Sequence, residues 1–195
     1  MGFGIALMRL AAFGTDPYSC MNIGIGVKTA LGFGTWQLIL NGLLMVLVFF
    51  TDRRKIGFGT LFNMLGVGYL ADFFLRFFRL IPGLSLWPVR ILALPAGIIP
   101  LCFGASLYME AALGLSPYDA VGVIISEKLG KPGWFRWIRI ITDLCCVFIG
   151  FISGSAVGIG TVICAFFTGP LMVFFRRLWR TAVHNAAVSR SRGGK

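Results

Sequence analysis

Acidic side chains and histidine are scarce in this chain, with seven Asp and Glu and a single His among 195 residues. That scarcity removes most kinds of site chemistry. A metal centre needs clustered His, Cys, Asp or Glu, and the lone histidine, His184, lies in the polar C-terminal tail. No nucleophile elbow or phosphate loop is present. The five cysteines, Cys20, Cys102, Cys145, Cys146 and Cys164, share no metal-ligand spacing, and their odd number argues against a full disulfide framework. They read as small packing residues. No catalytic residue, metal or cofactor is therefore expected, and enzyme activity is not the expected function. An intramembrane Asp pair is the one acid–base arrangement that would work without histidine.

Long polar stretches are missing too. Charged residues make up 13% of the chain, against roughly 25% in a soluble domain. Hydrophobic residues make up 57%, and the mean hydropathy is +0.87. Several apolar runs are long enough to cross a bilayer, which takes ~20 residues. They exclude a signal peptide followed by a soluble domain. The chain reads as an integral membrane protein whose first partner is the lipid bilayer. The net charge of +11 does not point to nucleic acid. Much of it sits in "RRK" (Arg53 to Lys55), "RRLWR" (Arg176 to Arg180) and the tail "SRSRGGK". Basic clusters just outside apolar spans set orientation and touch anionic headgroups, and no aromatic-basic platform for nucleic acid accompanies them.

What is there is written twice. "AFGTDPYSCMNIGIG" (Ala12 to Gly26) and "ALGLSPYDAVGVIIS" (Ala112 to Ser126) share Gly-x-[Asp/Ser]-Pro-Tyr. Positions 11–30 match 111–130 at seven of twenty, and positions 57–80 match 158–181 at nine of twenty-four. The apolar segments follow the same order in both halves. Met1 to Phe13, Pro17 to Leu31, Trp36 to Phe50 and Leu61 to Leu80 are answered by Val89 to Leu113, Pro117 to Leu129, Trp134 to Ile152 and Val162 to about Trp179. The organisation is thus a first repeat over 1–80, a linker over 81–88, a second repeat over 89–180 and a basic polar tail over 181–195, read as disordered. About a dozen residues, Val89 to Pro100, have no counterpart before Met1. The first segment therefore reads as the second half of a spanning helix, either because the start codon is assigned late or because this is a shortened family member.

Asp16 and Ser116 each precede a proline, which is the arrangement of a helix cap followed by Pro at the first helical position. The helices that follow have 13 to 15 residues and cover only ~20–22 Å, less than the hydrocarbon core. Lys28, Glu127 and Lys128 disfavour lipid exposure of their C-terminal ends. They read as half-membrane, re-entrant helices. Exposed N–H groups at two such helix starts, related by pseudo-symmetry, suit a shared substrate site. The candidate binding residues are Asp16, Pro17, Tyr18, Asn22, Ser116, Pro117, Tyr118 and Asp119. Candidates for ion coupling or an ion pair are Glu110, Arg139, Asp143 and Asp72, because burying ionisable groups in a membrane is costly. Arg139 and Asp143 lie four apart on one helix face, which suits an intrahelical pair as well as a coupling site. Asn41 and Asn63 suit hydrogen bonding between helices.

The expected fold is an all-α polytopic membrane protein of two inverted structural repeats, each with about three spanning helices and one short re-entrant helix, the first helix truncated. This puts "RRK", the Lys128–Arg139 region and the C-terminus in the cytoplasm, and Arg76, Arg79 and Arg90 outside. Parallel repeats would exchange those arginines with "RRK", and charge alone nearly ties the two.

The order "FGTDPY…GFGTW…GFGT", then "LGLSPYD…EKLG…GIGT…GPL", resembles the YczE/YyaS/YitT group of bacterial membrane proteins from Gly4 to Arg180. The best-matched positions are Gly14, Pro17, Tyr18, Gly57, Gly59 and Thr60, and then Gly114, Pro117, Asp119, Gly158, Gly160, Thr161, Gly169 and Pro170. Tyr18-Ser19 departs from the aromatic-Asp pair that Tyr118-Asp119 keeps. The resemblance implies a multi-pass protein of the bacterial plasma (inner) membrane and no particular substrate. The leading expectation is a small-molecule or ion transporter with a midplane site between the two half-helices. A non-transporting scaffold or assembly partner also fits the small size, and an oligomer is left open.

Overall fold

The computed structural model describes residues 1–81, 83, 86–111, 114–131 and 134–193, without the side chains of residues 136 and 182–193. Residues 82, 84 and 85 of the expected linker, and the last two of the tail, lie outside the described residues. Among the described residues the regular structure is helical. It comprises α1 (Gly2–Ala11), α2 (Pro17–Lys28), α3 (Phe33–Thr51), a 3-10 turn (Arg53–Lys55), α4 (Phe58–Arg79), α5 (Trp87–Glu110), α6 (Pro117–Lys128), α7 (Phe135–Ile152) and α8 (Ile159–Gly193).

The short helices begin and end in the same way. Asp16 Oδ2 accepts from the Ser19 amide at 3.0 Å, and Ser116 Oγ accepts from the Asp119 amide at 3.1 Å. Each cap satisfies a donor that the helix itself leaves open, and Pro17 and Pro117 remove another. At the other end Leu31 N–H reaches back to Gly26 and Lys131 N–H to Ser126, with Ala30 and Gly130 in the left-handed region at φ 54° and 64°. That is a Schellman-type stop.

α4 and α8 begin about three residues earlier than the apolar pattern suggests, because glycines at their starts pack closely on backbone instead of carrying apolar side chains. Gly158 and Gly160 lie on the Phe13 carbonyl, and Gly57 on Gly114. The Gly57 amide donates to Thr60 Oγ1 at 3.1 Å, which fixes the start of α4. α5 continues through Pro95 and Pro100. α8 remains helical to Gly193, where the sequence reading has a disordered tail. The stretch from Thr181 onward has no proline to stop it, and its alanines favour continuation.

α3, α4, α5 and α8 as far as Thr181 are long and apolar enough to cross a membrane. α1 has 10 residues, and α7, with 18, carries Arg136, Arg139 and Asp143. Burial runs opposite to that of a soluble domain. Asn22, Gln37, Asn41, Asp119 and Asp143 are buried, while Phe50, Phe58, Phe62 and Leu80 face outward. An apolar exterior around a polar interior is what lipid as solvent selects.

Packing is reciprocal between the halves. α1 runs antiparallel to α5. Gly4 lies on Gly97 and Leu101, Met8 on Gly97 and Met1 on Gly104, and Arg90 Nε donates to the Ala11 carbonyl at 3.0 Å. α1 sits beside α4, with Phe3 and Phe74 centroids 5.4 Å apart, and α5 beside α8, with Phe103 and Phe175 at 5.6 Å. α2 packs on α7 through Gly24 and Gly150, and α6 packs on α3 through Val48, Ala120 and Ile124. The loop before each short helix rests on the start of a long helix in the other half. Gly14 (φ 103°) touches Gly158 and Thr161, and Gly114 (φ 102°) touches Gly57 and Thr60. The Gly160 amide donates to the Phe13 carbonyl at 2.8 Å, and the Leu115 amide to the Lys55 carbonyl at 2.8 Å.

One end of the bundle collects the Lys55–Glu127 ion pair (2.6 Å) and the Glu110 pairs with Arg176 (3.2 Å) and Arg180 (2.6 Å). Met109, Leu115, Glu127, Phe135 and Arg176 share a pocket there. Arg9, Arg79, Ser155 and Ala156 share one among other residues.

Candidate functional site

The N-termini of α2 and α6 meet at the centre of the molecule. Tyr18 and Tyr118, the second residue of each helix, stack with centroids 4.4 Å apart and planes 23° from parallel. Each ring reaches on to the long helix that follows its own. Tyr18 donates to Asn41 Oδ1 at 2.7 Å, and Tyr118 donates to Asp143 Oδ1 at 2.6 Å. One turn before each acceptor stands a second polar residue, Gln37 on α3 and Arg139 on α7.

These groups line a small cavity of about 70 Å³, large enough to hold water. Of the residues singled out in the sequence, Asp16, Pro17, Tyr18, Ser116, Tyr118, Asp119, Arg139 and Asp143 line it. Pro117, Asn22, Glu110 and Asp72 do not. Pro117 is fully buried in the first turn of α6. Asn22 lies a turn deeper in α2 and donates to the Tyr18 carbonyl at 2.7 Å. Glu110 is held by Arg176 and Arg180 at the basic end. Asp72 ties three helices together, accepting from Arg9 at 2.6 Å and from the Gly34 amide at 2.9 Å. Gln37 and Thr168 line the cavity as well and were not foreseen. Asn41 and Asn63, expected only as bonds between helices, also line it.

The two walls differ in charge. On the second-half wall Arg139 pairs with Asp119 and, at 3.4 Å, with Asp143, and its guanidinium lies 4.7 Å from the Tyr118 ring centroid. Asp119 Oδ2 accepts from Ser116 Oγ at 2.8 Å. On the first-half wall the corresponding helix offers the neutral pair Gln37 and Asn41. Asp16 Oδ1, Ser19 Oγ and Gln37 Oε1 are buried there without a hydrogen-bond partner.

Arg139 and Asp143 also face a larger groove of about 360 Å³ between α7 and α8, which continues past Phe135 and Arg177. The equivalent pair, α3 and α4, is shut where Gly34 meets Gly68. Among the described residues no cluster of His, Cys, Asp and Glu could hold a metal ion.

An apolar exterior, at least four membrane-length helices and a buried polar centre define a helical multi-pass membrane protein. Residues 1–177 match the "Family of unknown function (DUF6198)", and the chain belongs to that family. It is 28% identical over 176 residues to the "Uncharacterized membrane protein YczE" of Bacillus subtilis, covering 89% of this chain and 79% of that protein. An "Uncharacterized protein" of Haemophilus influenzae is 28% identical over 175 residues, covering 90% and 78%. The "Uncharacterized protein YyaS" of Bacillus subtilis is 22% identical over 178 residues, covering 90% and 86%. These relatives agree with the resemblance read from the glycine and proline motifs. No solved structure matches the chain.

Proposed function

We propose that the chain is a transporter of a small polar or ionic solute in the bacterial plasma membrane, built from two inverted repeats around the central cavity. The observation that carries this reading is the reciprocal placement of Tyr18 and Tyr118, each opening a short helix and each bonded to the middle of the next long one, with the rings stacked across the junction. Antiparallel packing of α1 on α5 is what two copies of one unit give when one is turned upside down, and inverted repeats around a central site are a recurrent transporter plan. In this reading α2 and α6 are re-entrant, and α1, α3, α4, α5, α7 and α8 make the crossings. α7 tolerates Arg139 and Asp143 because both face the cavity.

The unequal helix pairs support the same reading. One half has its long helices shut at Gly34 and Gly68, and the other leaves a groove beside the cavity. Alternating access requires that difference, with the halves exchanging roles during a cycle. The proposed role is binding and passage, with no bond made or broken in the solute. A scaffold would leave the cavity and its unpartnered oxygens without use.

The test is flux. Protein in liposomes is given hyperosmotic pulses of ammonium chloride, potassium formate, urea or glycerol, and solute uptake is followed by light scattering. At least one solute is expected to enter several-fold faster than into empty vesicles. Equal rates for every solute, from protein that unfolds cooperatively, would favour the scaffold.

A further inference from the structure

Counting side chains, the cavity wall holds three carboxylates, Asp16, Asp119 and Asp143, against one guanidinium, Arg139. Arg139 is committed to the second-half acids by two ion pairs and by its place over Tyr118. The other bonds of those acids come from Ser116 and Tyr118. Asp16 has no such cation. Its Oδ2 accepts the Ser19 amide as a helix cap, and its Oδ1 is buried with no partner. Two further oxygens in the same lining are also unpartnered, Ser19 Oγ and Gln37 Oε1, on residues only 1% and 4% exposed. Leaving a carboxylate and two neutral oxygens unsatisfied in a low-dielectric interior is expensive. A bound donor or positive charge removes that cost, whereas an anion would add to it.

Resting on the transport reading of this cavity, we propose that its ligand is a small monovalent cation, an alkali ion or a protonated amine of few heavy atoms, with Asp16 as counter-charge and Ser19 and Gln37 as neutral oxygen ligands. Among the described residues, Asp16 is the one carboxylate of this wall without an ion-pair partner, and it supplies a single counter-charge. The small cavity volume suits a ligand of that size. Asp119 and Asp143 are taken up by Arg139, which leaves one free carboxylate and two neutral oxygens, a ligand set short of charge for a multivalent ion.

The experiment is thermal unfolding of the purified full chain in detergent at fixed pH, with sodium, potassium, ammonium or methylammonium chloride replacing choline chloride at constant ionic strength. At least one small cation is expected to raise Tm saturably, by roughly 5 °C or more when it exceeds its Kd a hundredfold. Asp16→Asn keeps the helix cap, since Asn caps as well as Asp, and is expected to weaken that response at least tenfold. Gln37→Met removes a neutral oxygen and is expected to weaken it less. It provides the measurement should Asp16→Asn fail to fold. Glu127→Gln, far from the cavity, is expected to leave the response intact.

The inference is overturned if no small cation stabilises the protein. It is also overturned if both cavity variants respond like the unmodified chain, or if stabilisation follows formate or urea instead of the cation. In that last case transport of another solute still stands. Cation binding without flux in liposomes would instead remove the transport reading and keep the site.

Discussion

At the scale of single residues, the most exacting positions are the glycines before the short helices. Gly114 has φ 102°, and a Cβ there would collide with the Gly57 amide nitrogen and lie 2.5 Å from Thr60 Oγ1. Gly154 has φ 83° with nothing within 4 Å. Gly114→Ala therefore combines backbone strain with a clash against backbone atoms, whereas Gly154→Ala meets strain alone. We expect a loss of at least ~3 kcal/mol for Gly114→Ala and about 1 kcal/mol for Gly154→Ala, measured by thermal unfolding in detergent. Ala30 is the converse case. It sits at φ 54° where α6 has Gly130 in the same stop, so Ala30→Gly is expected to stabilise by about 0.5–1 kcal/mol.

Arg139 poses a different residue-scale question, because it offsets two buried acids at once. Removing one partner of a buried pair strands the other charge, typically at 3–5 kcal/mol. Arg139→Gln is expected to fall in that range. The other half of the chain contains the neutral solution, Gln37 with Asn41 at the same four-residue spacing. Adding Asp143→Asn to Arg139→Gln writes that solution into α7 and is expected to recover part of the loss. A double-mutant cycle on unfolding free energies reads the coupling. A double variant as unstable as the sum of the singles would mean the two residues act independently.

At the scale of elements, the helix starts at Pro17 and Pro117 were legible because proline and a polar cap are local signals. The correspondence of Gln37 with Arg139 was not. Four residues separate α2 from α3 and six separate α6 from α7, so the match needs an offset two beyond that of the proline motifs, and amide against ion pair shares no letter. Which acids join the cavity was equally hidden. Asp72 and Glu110 lie in apolar helices like Asp143, and only the fold hands them to Arg9 and to Arg176 with Arg180. The α7–α8 groove also has no sequence signature, since Gly169 is the repeat partner of Gly68. A Cβ at Gly169 meets nothing within 4 Å, while one at Gly68 lies 2.9 Å from Gly34. Gly169→Cys in a cysteine-free background is therefore expected to react readily with a small thiol reagent. Gly68→Cys should be protected or poorly folded. Equal reactivity would mean that the two helix pairs are alike in the membrane and that the asymmetry carries no functional state.

At the scale of the whole molecule, packing and charge bear on the same question of orientation. The turn Arg53–Lys55 is bound to α6 by the Lys55–Glu127 pair and by the Leu115 amide. Leu115 and Glu127 share their pocket with Arg176, next to the arginines that hold Glu110. "RRK" and "RRLWR" thus lie at one end of the bundle, while Arg9 and Arg79 line a pocket with the Ser155–Ala156 loop. Lys and Arg in short loops favour the cytoplasmic side, and a further basic segment after Thr181 extends the first of these ends. Single cysteines placed at Arg54 and at Ser189 in a cysteine-free background are expected to be shielded in intact cells and labelled by an impermeant maleimide only after the membrane is opened. A cysteine at Ala156 is expected to be labelled in intact cells. Labelling of Arg54 and Ser189 from opposite sides would break the inverted arrangement. It would leave the stacked tyrosines as an internal contact between parallel halves, with no common midplane site for a solute to cross.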